Sequence, residues 1–169
     1  MRCFIACFLS PDSAAALAAV RPRLSGCRPV PAENLHVTLH FLGSVAPERR
    51  EEVLALTGLL DGRVTEATVL EMAGFPRRRR ARTVVARLSA DPLLTDWHHA
   101  LAAAWPTEES NRSFDAHITL ARSRRGVAVP DAPSLAGLEL ALLPPAAYVS
   151  ETMPEGARYT PLSDGPPAG

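Results

Sequence analysis

The sequence contains no lysine; all eighteen of its basic residues are arginine. That absence excludes a Schiff base, a P-loop lysine and a nucleotidyl-lysine intermediate, each of which needs a primary amine. Cysteine is scarce: Cys3, Cys7 and Cys27 are an odd number with no C-x-x-C spacing. They read as buried small hydrophobes in a reducing compartment, not as a disulfide frame or a metal site. No stretch approaches the roughly 20 apolar residues of a membrane span. The opening MRCFIACFLSPD reaches Pro11 and Asp12 too soon for a signal peptide. A soluble, cytoplasmic protein is expected. Net charge is missing as well, since 18 basic residues balance 18 acidic ones. General affinity for nucleic acid or anionic membrane is therefore not predicted, and any anion binding must be local.

What is present is an ordinary globular composition, 47% hydrophobic and 21% charged over 169 residues, long enough for one domain or two tightly joined lobes. Arg2 to Leu9 reads as a strand. Ser10-Pro11-Asp12-Ser13 caps a helix that the Ala-rich run carries to about Leu24. Residues 26–31 connect, with room for a short strand. A helix begins at Pro47 with acidic residues in its first turn and closes at Asp61-Gly62. Strands follow from Arg63 to Met72, broken by Gly74-Phe75-Pro76, and from Thr83 to Leu88. Asp91-Pro92 opens a helix to about Trp105, in which His98 and His99 lack a metal-pair spacing and read as surface or half-buried residues. Strands then dominate: about Leu135–Leu143, Ala147–Met153 and Ala157–Leu162. Residues 163–169 form a Pro/Gly tail expected to be disordered. Strand and helix alternating early and strands prevailing late argue for an α+β fold, with two similar lobes facing one another across a cleft.

The informative feature is a repeated pattern. Leu35-His36-Val37-Thr38-Leu39-His40-Phe41-Leu42-Gly43 returns in part as His117-Ile118-Thr119-Leu120-Ala121-Arg122. On a strand, alternation turns Leu35, Val37, Leu39 and Phe41 to the core and His36, Thr38 and His40 to the other face. The second copy repeats this with His117 and Thr119. Simple alternation puts Arg122 on the face away from them, so it joins them only if the strand bends or ends near Ala121. His40 has no echo in the second copy and is expected at the rim.

Two imidazoles suit in-line displacement at phosphorus, where one group takes a proton from the nucleophile and the other gives one to the leaving oxygen. Each such group typically contributes about 10² to 10⁴ in rate. A hydroxyl from Thr38 or Thr119 can hold a non-bridging oxygen, and in a lysine-free chain the developing charge falls to arginine or backbone N–H groups, with Arg122 nearest. The densest charge is Arg77, Arg78, Arg79, Arg80 and, after Ala81, Arg82. It is either a solvated loop between strands or a lip that draws a polyanion toward a cleft.

With both motifs in order, the chain resembles the 2H phosphoesterase superfamily, specifically the RNA 2',3'-cyclic phosphodiesterases also described as 2'-5' RNA ligases. The resemblance runs through Arg2-Cys3-Phe4-Ile5-Ala6, both His-x-Thr motifs with Phe41-Leu42-Gly43 and Phe114, and Ser150–Met153 with Gly156–Leu162. It implies a bilobal, pseudo-twofold α+β fold over residues 1–162, with two antiparallel sheets flanking a central cleft and helices outside. It also implies metal-independent, cofactor-free hydrolysis of an RNA or nucleoside 2',3'-cyclic phosphate to a 2'-phosphate by a monomeric enzyme. His36 would be the general acid and His117 the general base, with Thr38, Thr119 and Arg122 on the phosphate. The alternatives are a 2'-5' RNA ligase running the reverse reaction and a non-catalytic RNA or nucleotide-binding module. Ala116 stands where the family often has proline, and His40 where Lys, Ala or Ser is common. Phe41 holds the place in the first motif that Arg122 holds in the second, so the lobes would offer a ring on one side and a charge on the other.

Overall fold

A computed structural model describes residues 1–89 and 92–162; the expected tail 163–169 and the helix-opening Asp91 lie outside them. The Phe/Ile/Cys-rich start forms β1 (Arg2–Phe8), and α1 (Pro11–Val20) follows with the Ser10 hydroxyl accepting from the Ser13 N–H at 3.2 Å. The helix stops four residues short of the expected Leu24. Arg21 is extended (φ −64°, ψ 136°), the conformation imposed on a residue that precedes proline, here Pro22. Next come β2 (Arg28–Pro29), the first motif strand β3 (His36–Ser44), a 3₁₀ turn at Pro47–Arg49 and α2 (Arg50–Thr57). The strand β4 (Thr65–Phe75) runs through Gly74 to Phe75 rather than breaking before it, and a 3₁₀ turn at Arg78–Arg80 leads into β5 (Ala81–Leu88). α3 (Pro92–Ala104), the second motif strand β6 (His117–Val127), β7 (Glu139–Leu142), β8 (Ala146–Met153) and β9 (Gly156–Pro161) complete the order.

The strands form one curled antiparallel sheet in the order β7-β4-β5-β6-β3-β1-β8-β9, with β2 added beside β6. The order reads as two four-stranded wings. The expected pair of sheets is therefore present as two halves of a single sheet, joined where β3 meets β6 at the pair Val37–Ile118. Helices cover the outer face. Leu94, Trp97 and Leu101 of α3, Leu17 of α1 and Val53 and Leu56 of α2 are buried with the core-facing residues of the strands. Each such aliphatic side chain taken fully from water contributes about 1.5–3 kcal/mol. Among the described residues no helix is long and apolar enough to cross a membrane.

At Gly74 the wing closes tightly on itself. A Cβ there would lie 2.5 Å from the Cβ of Ala81 and 2.7 Å from Cγ2 of Val129, both on the packed side of the β4–β5 hairpin. Gly74→Ala is accordingly expected to cost about 1–3 kcal/mol of stability through overpacking. Urea denaturation checks it, and a midpoint equal to that of the parent would show that the hairpin yields freely.

Candidate active site

Both motif strands carry a β-bulge at the same place. In the pairing of β1 with β3, Ile5 faces His40 and Ala6 faces Thr38, so Leu39 is skipped. In the pairing of β5 with β6, Val84 faces Ala121 and Val85 faces Thr119, so Leu120 is skipped. One extra residue reverses the parity of everything beyond it. This brings Arg122 onto the face of His117 and Thr119, the bend that simple alternation required. In β3 the same reversal exposes Phe41 and buries His40.

The rim position expected for His40 is thus overturned. His40 is 3% exposed, its Nε2 lies 2.8 Å from the Trp105 carbonyl, and its ring meets His98 at 5.8 Å. His98 is buried too, beyond the half-burial expected of it. Alternation misplaces His40 because the bulge at Leu39 uses no glycine and leaves no local signature.

The bulged strands deliver His36, Thr38 and Phe41 from one side and His117, Thr119 and Arg122 from the other to a cavity of about 370 Å³. The antiparallel pair Val37–Ile118 sets Thr38 across from His117 and His36 across from Thr119. The imidazoles are held alike. His36 Nδ1 lies 2.6 Å from the Asn34 carbonyl and His117 Nδ1 lies 2.7 Å from the Asp115 carbonyl. A carbonyl only accepts, so each Nδ1 carries the proton it donates and each Nε2 is left free for proton exchange.

Their surroundings differ. The His36 ring stacks on Phe8 (4.8 Å between centroids, 18° between planes) and is flanked by Phe4 and Tyr159, whereas His117 meets the edge of Phe75 at 5.6 Å. Burial lowers the His36 pKa to about 4; the bond to the Asn34 carbonyl opposes this, and the nearby charges of Arg122 and His117 add to it. Among the described residues Arg122 has no carboxylate partner, so its charge is directed at the cleft. The aromatic surround of Phe4, Phe8 and Tyr159 was not singled out as part of the site from sequence, since its members come from β1 and β9 and only the sheet order brings them together.

The arginine run is divided by the structure. Arg78 donates from Nε to the Val129 carbonyl (3.1 Å) and from Nη1 to the Met72 carbonyl (3.3 Å), and pairs with Asp131 at 2.6 Å, so it fastens the hairpin to the chain after β6. Arg77, Arg79 and Arg80 are exposed, and none of the four lines the cavity.

The family described as LigT like Phosphoesterase matches residues 8–85. A Thermus thermophilus protein named RNA 2',3'-cyclic phosphodiesterase is 33% identical, over 96% of this chain and 88% of its own. The chain belongs to the LigT-like phosphoesterase family. An Escherichia coli protein of the same name is 34% identical over 80% of this chain and 77% of its own. Among solved structures, one from Thermus thermophilus superposes with a TM-score of 0.79 at 32% identity, covering 96% of both chains. The E. coli LigT structure complexed with phosphate superposes with a TM-score of 0.70 at 28% identity, covering 96% of this chain and 94% of that one. The α+β fold expected from sequence is therefore the family's.

The electrostatic coupling within this LigT-like cleft is directly measurable. In an NMR pH titration of the ligand-free protein, His36 is expected to titrate near 4. Arg122→Met removes a positive neighbour that disfavours the imidazolium, so the midpoint must move upward. A midpoint unchanged by Arg122→Met would place the arginine's charge away from His36.

Proposed function

We propose that this chain hydrolyses RNA or nucleoside 2',3'-cyclic phosphates to 2'-phosphates, with His36 and His117 as acid and base. The observation that carries this reading is the pair of imidazoles presented to one cavity by pseudo-equivalent strands, each with its Nδ1 tied to a carbonyl two residues earlier. The names of the Thermus and E. coli relatives support the same substrate class.

In the proposed cycle His117 Nε2 takes a proton from water as its oxygen bonds to phosphorus. The P–O3' bond breaks in line, and His36 Nε2 gives a proton to the departing 3' oxygen, leaving the phosphate on the 2' oxygen. Thr38 and Thr119 hold non-bridging oxygens, and Arg122 offsets their negative charge. His36 is neutral in the empty cleft at neutral pH. A bound phosphate anion beside Arg122 opposes the field that depresses His36, so the substrate itself favours the protonated acid. No step calls for a metal or cofactor. The three free cysteines fit a reducing, cytoplasmic setting, and a monomer suffices because both motifs reside in one chain.

Hydrolysis of 2',3'-cyclic AMP is expected to persist in EDTA and to fall about 10²- to 10⁴-fold in His36→Ala and in His117→Ala. Activity that chelation abolishes, or that survives both substitutions, is incompatible with the two-histidine reaction.

Beyond the phosphate, Phe41 extends this reading to the nucleoside. It stands 45% exposed between the cleft and a neighbouring cavity of about 320 Å³ that also presents Phe75, an arrangement suited to stacking a base. His40 also reaches this second cavity, but its Nε2 is tied to the Trp105 carbonyl, so it supports the wall. Arg77, Arg79 and Arg80 would follow the chain of a longer RNA, together with the exposed Arg124 and Arg125 of β6. Replacing Arg79 and Arg80 by alanine is expected to raise KM several-fold for a cyclic-phosphate oligoribonucleotide, most at low salt, and to leave KM for 2',3'-cyclic AMP unchanged. Equal effects on both substrates would return the run to a solvated loop.

A further inference from the structure

The bulges that shape the cleft leave two carbonyls, those of Leu39 and Leu120, at residues skipped by the neighbouring ladders. Both residues are buried, and a buried carbonyl must find a donor. At Leu39 that donor is a side chain from a helix of the opposite half, and at Leu120 such a side chain joins a backbone N–H. His98 of α3, which follows β5, donates its Nδ1–H to the Leu39 carbonyl at 2.7 Å. Arg21, which closes α1 and so follows β1, donates Nη1–H to the Leu120 carbonyl at 3.2 Å and to the Val30 carbonyl as well. The Val30 N–H adds a 2.9 Å bond to Leu120.

We propose that Arg21 and His98 are positioning residues that hold the two active-site bulges, Arg21 setting Arg122 and His98 setting Phe41. Neither lines the phosphate cavity; His98 also borders the second cavity beside Phe41, but its Nδ1 is committed to the strand it grips. Their equivalence argues for a shared task. An arginine at a helix end and a histidine within a helix reach the same atom of pseudo-equivalent residues, each crossing from one half to the other. What they exclude is the unbulged strand. Without the extra residue, alternation would turn Arg122 into the core and His40 into the cleft, reversing the two groups beyond each motif. Arg21 can hold two carbonyls at once because its Nη1 carries two N–H donors. This inference rests on the reading in which Arg122 and Phe41 serve a phosphodiester substrate, but the placement of Arg122 can be followed without activity.

The test compares Arg21→Met, Arg21→Lys and Arg122→Met, and the Arg21→Met/Arg122→Met double variant, in two assays. In the first, an NMR pH titration, Arg21→Met is expected to shift His36 upward as Arg122→Met does, and to have no further effect once Arg122 is gone. In the second, kcat/KM on 2',3'-cyclic AMP, Arg21→Met alone is expected to lose about 10- to 100-fold, the scale of an active-site misplacement. In the Arg122→Met background the same substitution should lose less than about 2-fold more, the mark of residues acting through one another. Arg21→Lys, which keeps a donor, should recover most of both readouts. His36 titrating as in the parent when Arg21 is Met, or an equal loss of kcat/KM in both backgrounds, would overturn the role of Arg21. Should Arg21→Met fail to fold, Arg21→Gln enters the same comparison. For the second grip, His98→Leu is expected to raise KM as Phe41→Ala does and to add nothing to it, while His98→Asn, with an amide donor near the Nδ1 position, retains the parent KM. Additive effects of His98→Leu and Phe41→Ala would overturn the role of His98. If the parent shows no hydrolysis, the proposed function fails, and the Arg21 titration alone decides whether the grip on Arg122 stands.

Discussion

The cleft depends on one antiparallel contact, Val37 against Ile118, at which the two wings of the sheet join. Both residues are almost wholly buried, and each lies between the histidine and the threonine of its motif. A pair of core residues in register therefore fixes the four polar side chains on the opposite face, because neighbours on a strand point to opposite sides. Had β3 and β6 paired along their full length, the face would be a flat ladder. Their separation on either side of this one pair leaves the space in which a phosphate would lie.

The helices secure that junction by crossing it. α1 and α3 each follow a strand of one wing and grip the motif strand of the other, through Arg21 at Leu120 and His98 at Leu39. A wing could not rotate about the Val37–Ile118 pair without stretching these bonds. Stability and cleft geometry are thus carried by the same contacts, which in turn tie the polar face to the packing behind it.

Much of this was legible in the sequence, for identifiable reasons. His36, Thr38, His117 and Thr119 could be placed on one face because they precede the bulges, where the period of two still holds. His40, Phe41 and Arg122 follow the bulges, so simple alternation misassigned the first two and placed the third only by supposing a bend. The alanine-rich run favours helix as far as Leu24, but α1 ends at Val20 because Pro22 constrains Arg21 to an extended conformation. The arginine run reads as one unit, yet Arg78, exposed like its neighbours, is bound to Asp131 and two carbonyls. Equal residue types in sequence carry no mark of which partner the fold will supply.

The missing lysine acquires a structural meaning from these partners. An ammonium is a compact point charge, whereas a guanidinium presents donors in a fixed fork and keeps its charge at any ordinary pH. Arg78 uses the fork to bind backbone carbonyls from separate segments, donating from both Nε and Nη1, a task in which geometry matters more than charge. Arg122 is the converse case: without a carboxylate partner among the described residues, it keeps its field for the cleft and disfavours a second cation on His36. A phosphate anion brought between them would remove that penalty as it binds. Burial is the main reason that His36 is unprotonated in the empty cleft; the Arg122 charge that adds to it is also the charge that would attract the group whose arrival favours the proton's return.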